Sequence, residues 1–117
     1  MYSAQLIDHF QNPRNAGDLP VADATAEVEN PVCGDVVRIS LKVQEGRIAE
    51  IRFKAKGCVP AMGCGSAVTE LALGKRIPEA RSLTAENVKN VVGGLPPASN
   101  HAAELAIEVL RMALKKF

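Results

Sequence analysis

The sequence has no tryptophan, one tyrosine and three phenylalanines, so it offers few flat rings on which bases or sugars could stack. Its core must come from Val, Leu, Ile and Ala. No window approaches the ~20 consecutive apolar residues that cross a membrane. The opening MYSAQLIDHF lacks the basic segment and apolar run of a signal peptide. Blocks of like charge are missing too. Charged residues make up 23% of the chain, acids and bases are mixed, and the formal net charge is +1. That excludes the electrostatic footprint of a nucleic-acid or anionic-membrane binder. A cytoplasmic protein with no nucleic-acid and no membrane partner is expected. Cysteine is scarce at three, an odd number, and a reducing cytosol disfavours disulfides. The thiols are therefore ligands, reactive groups or core residues. With 117 residues, the chain is expected to form a single domain over 1–117.

Leu6, Ile7 and Phe10 stand at helical spacing after Ser3, a candidate N-cap, and predict a short amphipathic helix. Pro13, Gly17 and Pro20 end it in a turn-rich loop, after which ATAEVE reads as a strand and NPVCGD as a second loop. From Val36 the pattern alternates, with Val37, Ile39, Leu41 and Val43 on one face and Arg38, Ser40 and Lys42 on the other. Beyond QEG it resumes, with Ala49, Ile51, Phe53 and Ala55 set against Glu50, Arg52, Lys54 and Lys56, which predicts an antiparallel hairpin. A helix starts near Pro60, carries apolar residues at 61, 64, 68, 71 and 72, and closes at Gly74. SLTAENVKNVV gives another helix capped by Thr84. GGLPPASN breaks the chain before a last helix, about Ala102 to Lys116, with Leu105, Val109, Met112 and Phe117 inward. Strands first and helices after predict an α+β domain, a small antiparallel three-stranded sheet with helices packed on one face.

The residues suited to chemistry fall on loops. Cys33, Gly34 and Asp35 precede a strand, Cys58 follows the hairpin, and His101 precedes the last helix. Because Asp35 begins one strand and Gly57 ends its antiparallel partner, the two loops emerge at the same end of the sheet, which predicts Cys33 and Cys58 as neighbours. Two thiolates, an imidazole and a carboxylate suit zinc, or iron with bridging sulfide. Against this stands a plainer reading, in which Cys33 is a small loop hydrophobe and His101 caps a helix, since no short CxxC pair is present.

Four strings in register, DHFQNPRNAG, NPVCGD, FKAKGC and LPPASNH, resemble the NifU/IscU-type iron-sulfur cluster assembly scaffold family over nearly the whole chain. The resemblance implies a scaffold, not an enzyme, that holds a transient [2Fe-2S] cluster, or a zinc ion, on Cys33, Asp35, Cys58 and His101. It implies a cysteine desulfurase as sulfur donor and iron-sulfur apoproteins as recipients, with Cys33 or Cys58 as the persulfide acceptor. Three features depart from the family pattern, one being Cys64 where the family usually has a serine. Ala102 replaces the cysteine that follows the histidine and supplies neither ligand nor sulfur acceptor. The chaperone-recognition string reads Leu95-Pro96-Pro97-Ala98-Ser99, which argues against a dedicated Hsp70-type chaperone. The lost cysteine motivates an alternative, a zinc-binding sulfur-relay or partner-binding homologue that builds no cluster.

Cys64 carries two readings. Flanked by Gly63 and Gly65 on the helix that starts at the site, it could replace the missing thiol as a metal ligand or sulfur acceptor; among Ala61, Val68 and Leu71 it could equally be a core residue. A Cys58–Cys64 redox pair does not match the Cys-x-x-Cys spacing. His9 could be a further ligand, but near a helix C-terminus a hydrogen-bonding role is expected, and Asp8 and Arg14 are read as solvated or as a loop-fixing pair.

Overall fold

The computed structural model describes residues 1–31 and 34–117. Helix α1 (Ala4–Gln11) leads into strands β1 (Ala24–Glu29), β2 (Val36–Gln44) and β3 (Arg47–Lys56). Helices α2 (Val59–Ala72), α3 (Ile77–Arg81), α4 (Ala85–Val91) and α5 (Asn100–Ala113) follow, with a 3-10 turn over Pro97–Ser99. The strands form one antiparallel sheet in the order β1-β2-β3, so the expected α+β architecture is observed. Ser3 caps α1, its Oγ accepting from Leu6 N–H at 3.0 Å, and Thr84 caps α4 in a reciprocal box with Asn87.

The alternation in β2 and β3 does what alternation dictates. Val37, Ile39, Leu41, Ile51 and Phe53 turn into the core, while Arg38, Lys42, Arg52, Lys54 and Lys56 stand on the outer face or its rim. Asp18 pairs with Arg38 at 2.6 Å and Lys54 at 3.2 Å on that face. Glu45 and Gly46 both take positive φ, 54° and 74°, as a two-residue hairpin turn demands. One detail differs from the sequence reading. A register shift between Lys42 and Val43 turns Ile48, not Ala49, into the core beside Ile51, and Ala49 is exposed.

Helix α2 is the central element, packed between α1, α4, α5 and the sheet. It is buried on nearly every side, from Pro60 and Ala61 through every residue from Gly63 to Thr69 and on to Ala72, rather than along the single apolar stripe its spacing suggests. Two glycines make this possible. A Cβ at Gly65 would lie 2.7 Å from Phe53 Cδ2, and one at Gly63 would lie 2.4 Å from Leu6 Cδ1. An added carbon would have to displace the Phe53 ring at Gly65 and the end of the Leu6 side chain at Gly63, so both glycines favour the close approach of α2 to the sheet and to α1.

Helix α5 begins at Asn100, and its inward side is built of Ala102, Ala103, Leu105, Ala106, Val109, Leu110 and Ala113. Met112, expected inside, is 47% exposed, because the alanines carry the stripe around the helix and let its backbone approach α2. Helix α3 lies in a stretch the apolar spacing passes over; Glu79 accepts from Arg76 N–H at 3.0 Å and starts it. Replacing Gly65 by Val should cost about 3 kcal/mol of stability, since three added carbons must displace the Phe53 ring. The midpoint and slope of urea unfolding would measure this, with the midpoint falling and the slope unchanged.

Candidate functional site

The register pair Val36 with Lys56 sets Asp35 opposite Gly57 at one end of the β2–β3 hairpin. Asp35 is 3% exposed. Its Oδ1 accepts from the Cys58 N–H at 3.1 Å, and its Oδ2 lies 3.3 Å from Cys58 Sγ, placed to accept the thiol proton in a hydrogen bond. The same Oδ2 is 3.8 Å from His101 Nε2. A buried carboxylate is tolerated because its lone pairs are taken up in this way. The position of Asp35 depends on Gly57: a Cβ there would fall 2.0 Å from Oδ1, and its φ of +142° is one that other residues rarely adopt.

Three elements thus deliver one donor each. Asp35 comes from the entry to β2, Cys58 from the N-cap of α2, and His101 from the first turn of α5. Cys58 is exposed, yet partial desolvation pushes its thiol pKa up; the Ala61 N–H opposes this, and the Asp35 carboxylate adds to it. The resting form is a thiol hydrogen-bonded to a carboxylate. Among the described residues, no three His, Cys, Asp or Glu side chains converge closely enough to hold a metal ion by themselves. Cys33, two residues before Asp35 in the sequence, lies outside the described residues, and so does its expected proximity to Cys58.

Cys64 is not part of this exposed cluster. It is 0% exposed among Ala61, Ala67 and Val68 in the core, and burial pushes its thiol up to about 12, with the nearby Cys58 adding to the effect. Such a thiol is protonated at neutral pH. Ala102, at the position after His101, is 1% exposed and packs in the same core.

The DHFQNPRNAG stretch builds a clamp that the sequence reading found only in part. Asp8 and Arg14 pair at 2.7 Å, fixing the loop. His9 is buried, with Nδ1 2.8 Å from Ser66 Oγ. Ser66 Oγ also accepts from Arg14 N–H at 2.9 Å, so one hydroxyl ties the buried imidazole to the loop backbone. Asn15 Nδ2 donates to Thr69 Oγ1 at 3.2 Å, and the Asn15 and Gly17 backbones bond Phe53 on the edge of β3, each at 2.9 Å. Ser66 and Thr69 gave no sequence signal. A small polar residue midway along a helix looks the same whether it faces water or a buried imidazole.

A small α+β domain that gathers a thiol, a carboxylate and an imidazole at one end of an antiparallel sheet is the class these features define. The family model described as the NifU-like N terminal domain matches residues 1–117, and the chain belongs to that family. It is 46% identical over 114 residues to the iron-sulfur cluster assembly scaffold protein IscU 1 of Archaeoglobus fulgidus, covering 97% of this chain and 74% of that one. It is 38% identical over 118 residues to the IscU scaffold protein of Aquifex aeolicus, covering 99% and 75% respectively. The fold also matches a crystal structure of a SUF-system scaffold candidate from Fervidobacterium islandicum, with a TM-score of 0.83, 22% identity and coverage of 97% and 96%.

Two outcomes follow. Burial and the Arg14 cation hold His9 below its ordinary value of 6.5, so the unfolded chain takes up a proton that the folded chain refuses. Stability is complete above that value and falls as the pH drops from it toward the depressed folded value; urea midpoints between pH 7 and 5 should fall less steeply in His9→Gln. Asp35→Asn keeps the acceptor for the Cys58 N–H but removes the charge that favours the thiol. In a Cys33→Ser background, the pH profile of Cys58 alkylation by iodoacetamide should therefore move to lower pH.

Proposed function

We propose that this chain is an iron-sulfur cluster assembly scaffold, a non-enzymatic protein whose cargo is a [2Fe-2S] cluster built in place and passed to recipient apoproteins. The placing of Asp35 between Cys58, 3.3 Å away, and His101, 3.8 Å away, at the end of the sheet is the observation that carries this reading. The names borne by the Archaeoglobus and Aquifex relatives support it. Cys33, two residues from Asp35, completes the proposed donor set of two thiolates, one carboxylate and one imidazole. The span 1–117 acts as one scaffold unit in a reducing, cytoplasmic setting where its thiols stay free.

The donor set accounts for release as well as capture. A carboxylate is a harder and weaker ligand for iron-sulfide than a thiolate, so Cys/Asp/His ligation holds a cluster less tightly than four cysteines. Ligation requires Cys58 to lose its proton, and Asp35 at 3.3 Å is the adjacent base. Sulfur arrives from a cysteine desulfurase: the thiolate of Cys58 or Cys33 attacks the outer sulfur of the donor's persulfide, the donor S–S bond breaks, and the donor thiolate leaves. Zn2+ suits the same donors and competes with the cluster.

Anaerobic reconstitution with ferric iron and sulfide tests the proposal. A coloured protein with iron and acid-labile sulfide in equal amounts is expected; a colourless protein that retains only zinc overturns it. Cys58→Ser should abolish the colour. Cys64→Ser should keep it, because that thiol is held protonated in the core, and equal losses from the two variants would instead make Cys64 a ligand.

A further inference from the structure

Strand β1 is an edge of the sheet, and its ladder fixes which backbone groups it leaves outward. The Asn30 N–H donates to the Asp35 carbonyl at 2.7 Å. In an antiparallel ladder such directly bonded pairs alternate, so Ala24, Ala26 and Val28 turn their backbone groups to β2, while Thr25, Glu27 and Glu29 turn theirs away from it. Among the described residues, no backbone bond is made to those outward groups. Six residues of strand therefore present an open hydrogen-bonding edge.

A cleft of about 530 Å³ lies beside the C-terminal end of this edge, between β1 and the outer face of α5. Val28 and Leu105 give it an apolar floor, Glu29, Glu104 and Glu108 line it with carboxylates, and His101 marks its end at the site. Among the described residues, no lysine or arginine lines it. Glu27, Glu29, Glu104 and Glu108 are exposed, and among the described residues none of them is in an ion pair. Four unneutralised carboxylates along an open edge favour one kind of occupant. A second copy is disfavoured, because pairing two β1 edges brings glutamates of one against those of the other, and like charges facing across strands are destabilising.

We propose that the outer edge of β1 and the cleft beside it form a strand-addition site for an extended segment of a partner protein, one with Lys or Arg at alternate positions and aliphatic residues between. The backbone of the segment would bond Thr25, Glu27 and Glu29. Its basic side chains would lie beside Glu27 and Glu29 on the outer face, and its aliphatic ones would turn toward Val28 and Leu105. The end of the segment beyond Glu29 then lies beside His101 and Asp35, because Asn30 is bonded to Asp35 and His101 closes the cleft. This docking goes beyond the scaffold role and stands on the edge geometry whether or not the site builds a cluster.

A labelled, alternating lysine–valine hexapeptide titrated into the full chain tests the site, read by fluorescence anisotropy and by amide NMR shifts. Shifts concentrated at Thr25, Glu27 and Glu29 are expected. Reversing Glu27 and Glu29 to lysine should weaken binding about tenfold, the loss of two favourable cross-strand pairs and their replacement by repulsion. N-methylating alternate peptide amides, which keeps every charge and removes strand bonding, should weaken it by a comparable factor. An N-methylated or glutamate–valine peptide that binds as tightly overturns the proposal, as do shifts that fall elsewhere or dimers of this chain joined through β1.

Discussion

The contact on which this site depends is a carboxylate, that of Asp35, held out of water between the start of one helix and the start of another. A carboxylate so buried is costly unless its oxygens are bonded. Here they are taken up by the Cys58 N–H and the Cys58 thiol, with the His101 imidazole 3.8 Å from the second oxygen. The arrangement ties β2, α2 and α5 together at one point, so each donor is placed by the others. It is possible only because the hairpin register sets Asp35 opposite a residue with no side chain. Any Cβ at Gly57 would occupy the space of Oδ1.

A second constraint lies behind the first. Helix α2 carries Cys58 at its N-terminus and is pressed between α1 and the sheet through Gly63 and Gly65. The same tight packing that positions Cys58 places Cys64 inside the core, with its thiol pushed up to about 12. Six residues apart on one element, the two thiols have opposite chemical characters. One is exposed and bonded to a carboxylate, the other dry and protonated.

Much of this was legible in the residues, and the exceptions share a cause. The hairpin followed from alternation, and with it the emergence of the Asp35 and Gly57 ends at one end of the sheet. The helix caps at Ser3 and Thr84 followed from side-chain chemistry. What escaped depended on partners distant in the chain. The shift that turns Ile48 inward in place of Ala49 arises where two strands slip against each other. Met112 lost its inward place to alanines that count for little on a hydropathy pattern but let helices approach closely. The bond between His9 and Ser66 joins residues 57 positions apart. Cys64 was ambiguous in sequence because a ligand and a small core residue look alike until the packing around them is known.

The formal net charge of +1 hides a separation. Arg38, Lys42, Arg52, Lys54 and Lys56 lie on β2 and β3, whereas Glu27, Glu29, Glu104 and Glu108 lie along β1 and the adjoining face of α5. The two sets differ in how far neighbouring charges offset them. Asp18 pairs with Arg38 and Lys54, and Glu50 lies beside Lys42, whereas the four glutamates of the β1 flank have no ion-pair partner among the described residues. That flank carries the negative potential, and a basic protein diffusing within about 10 Å is drawn toward it before it makes contact, with the donor cluster at its end.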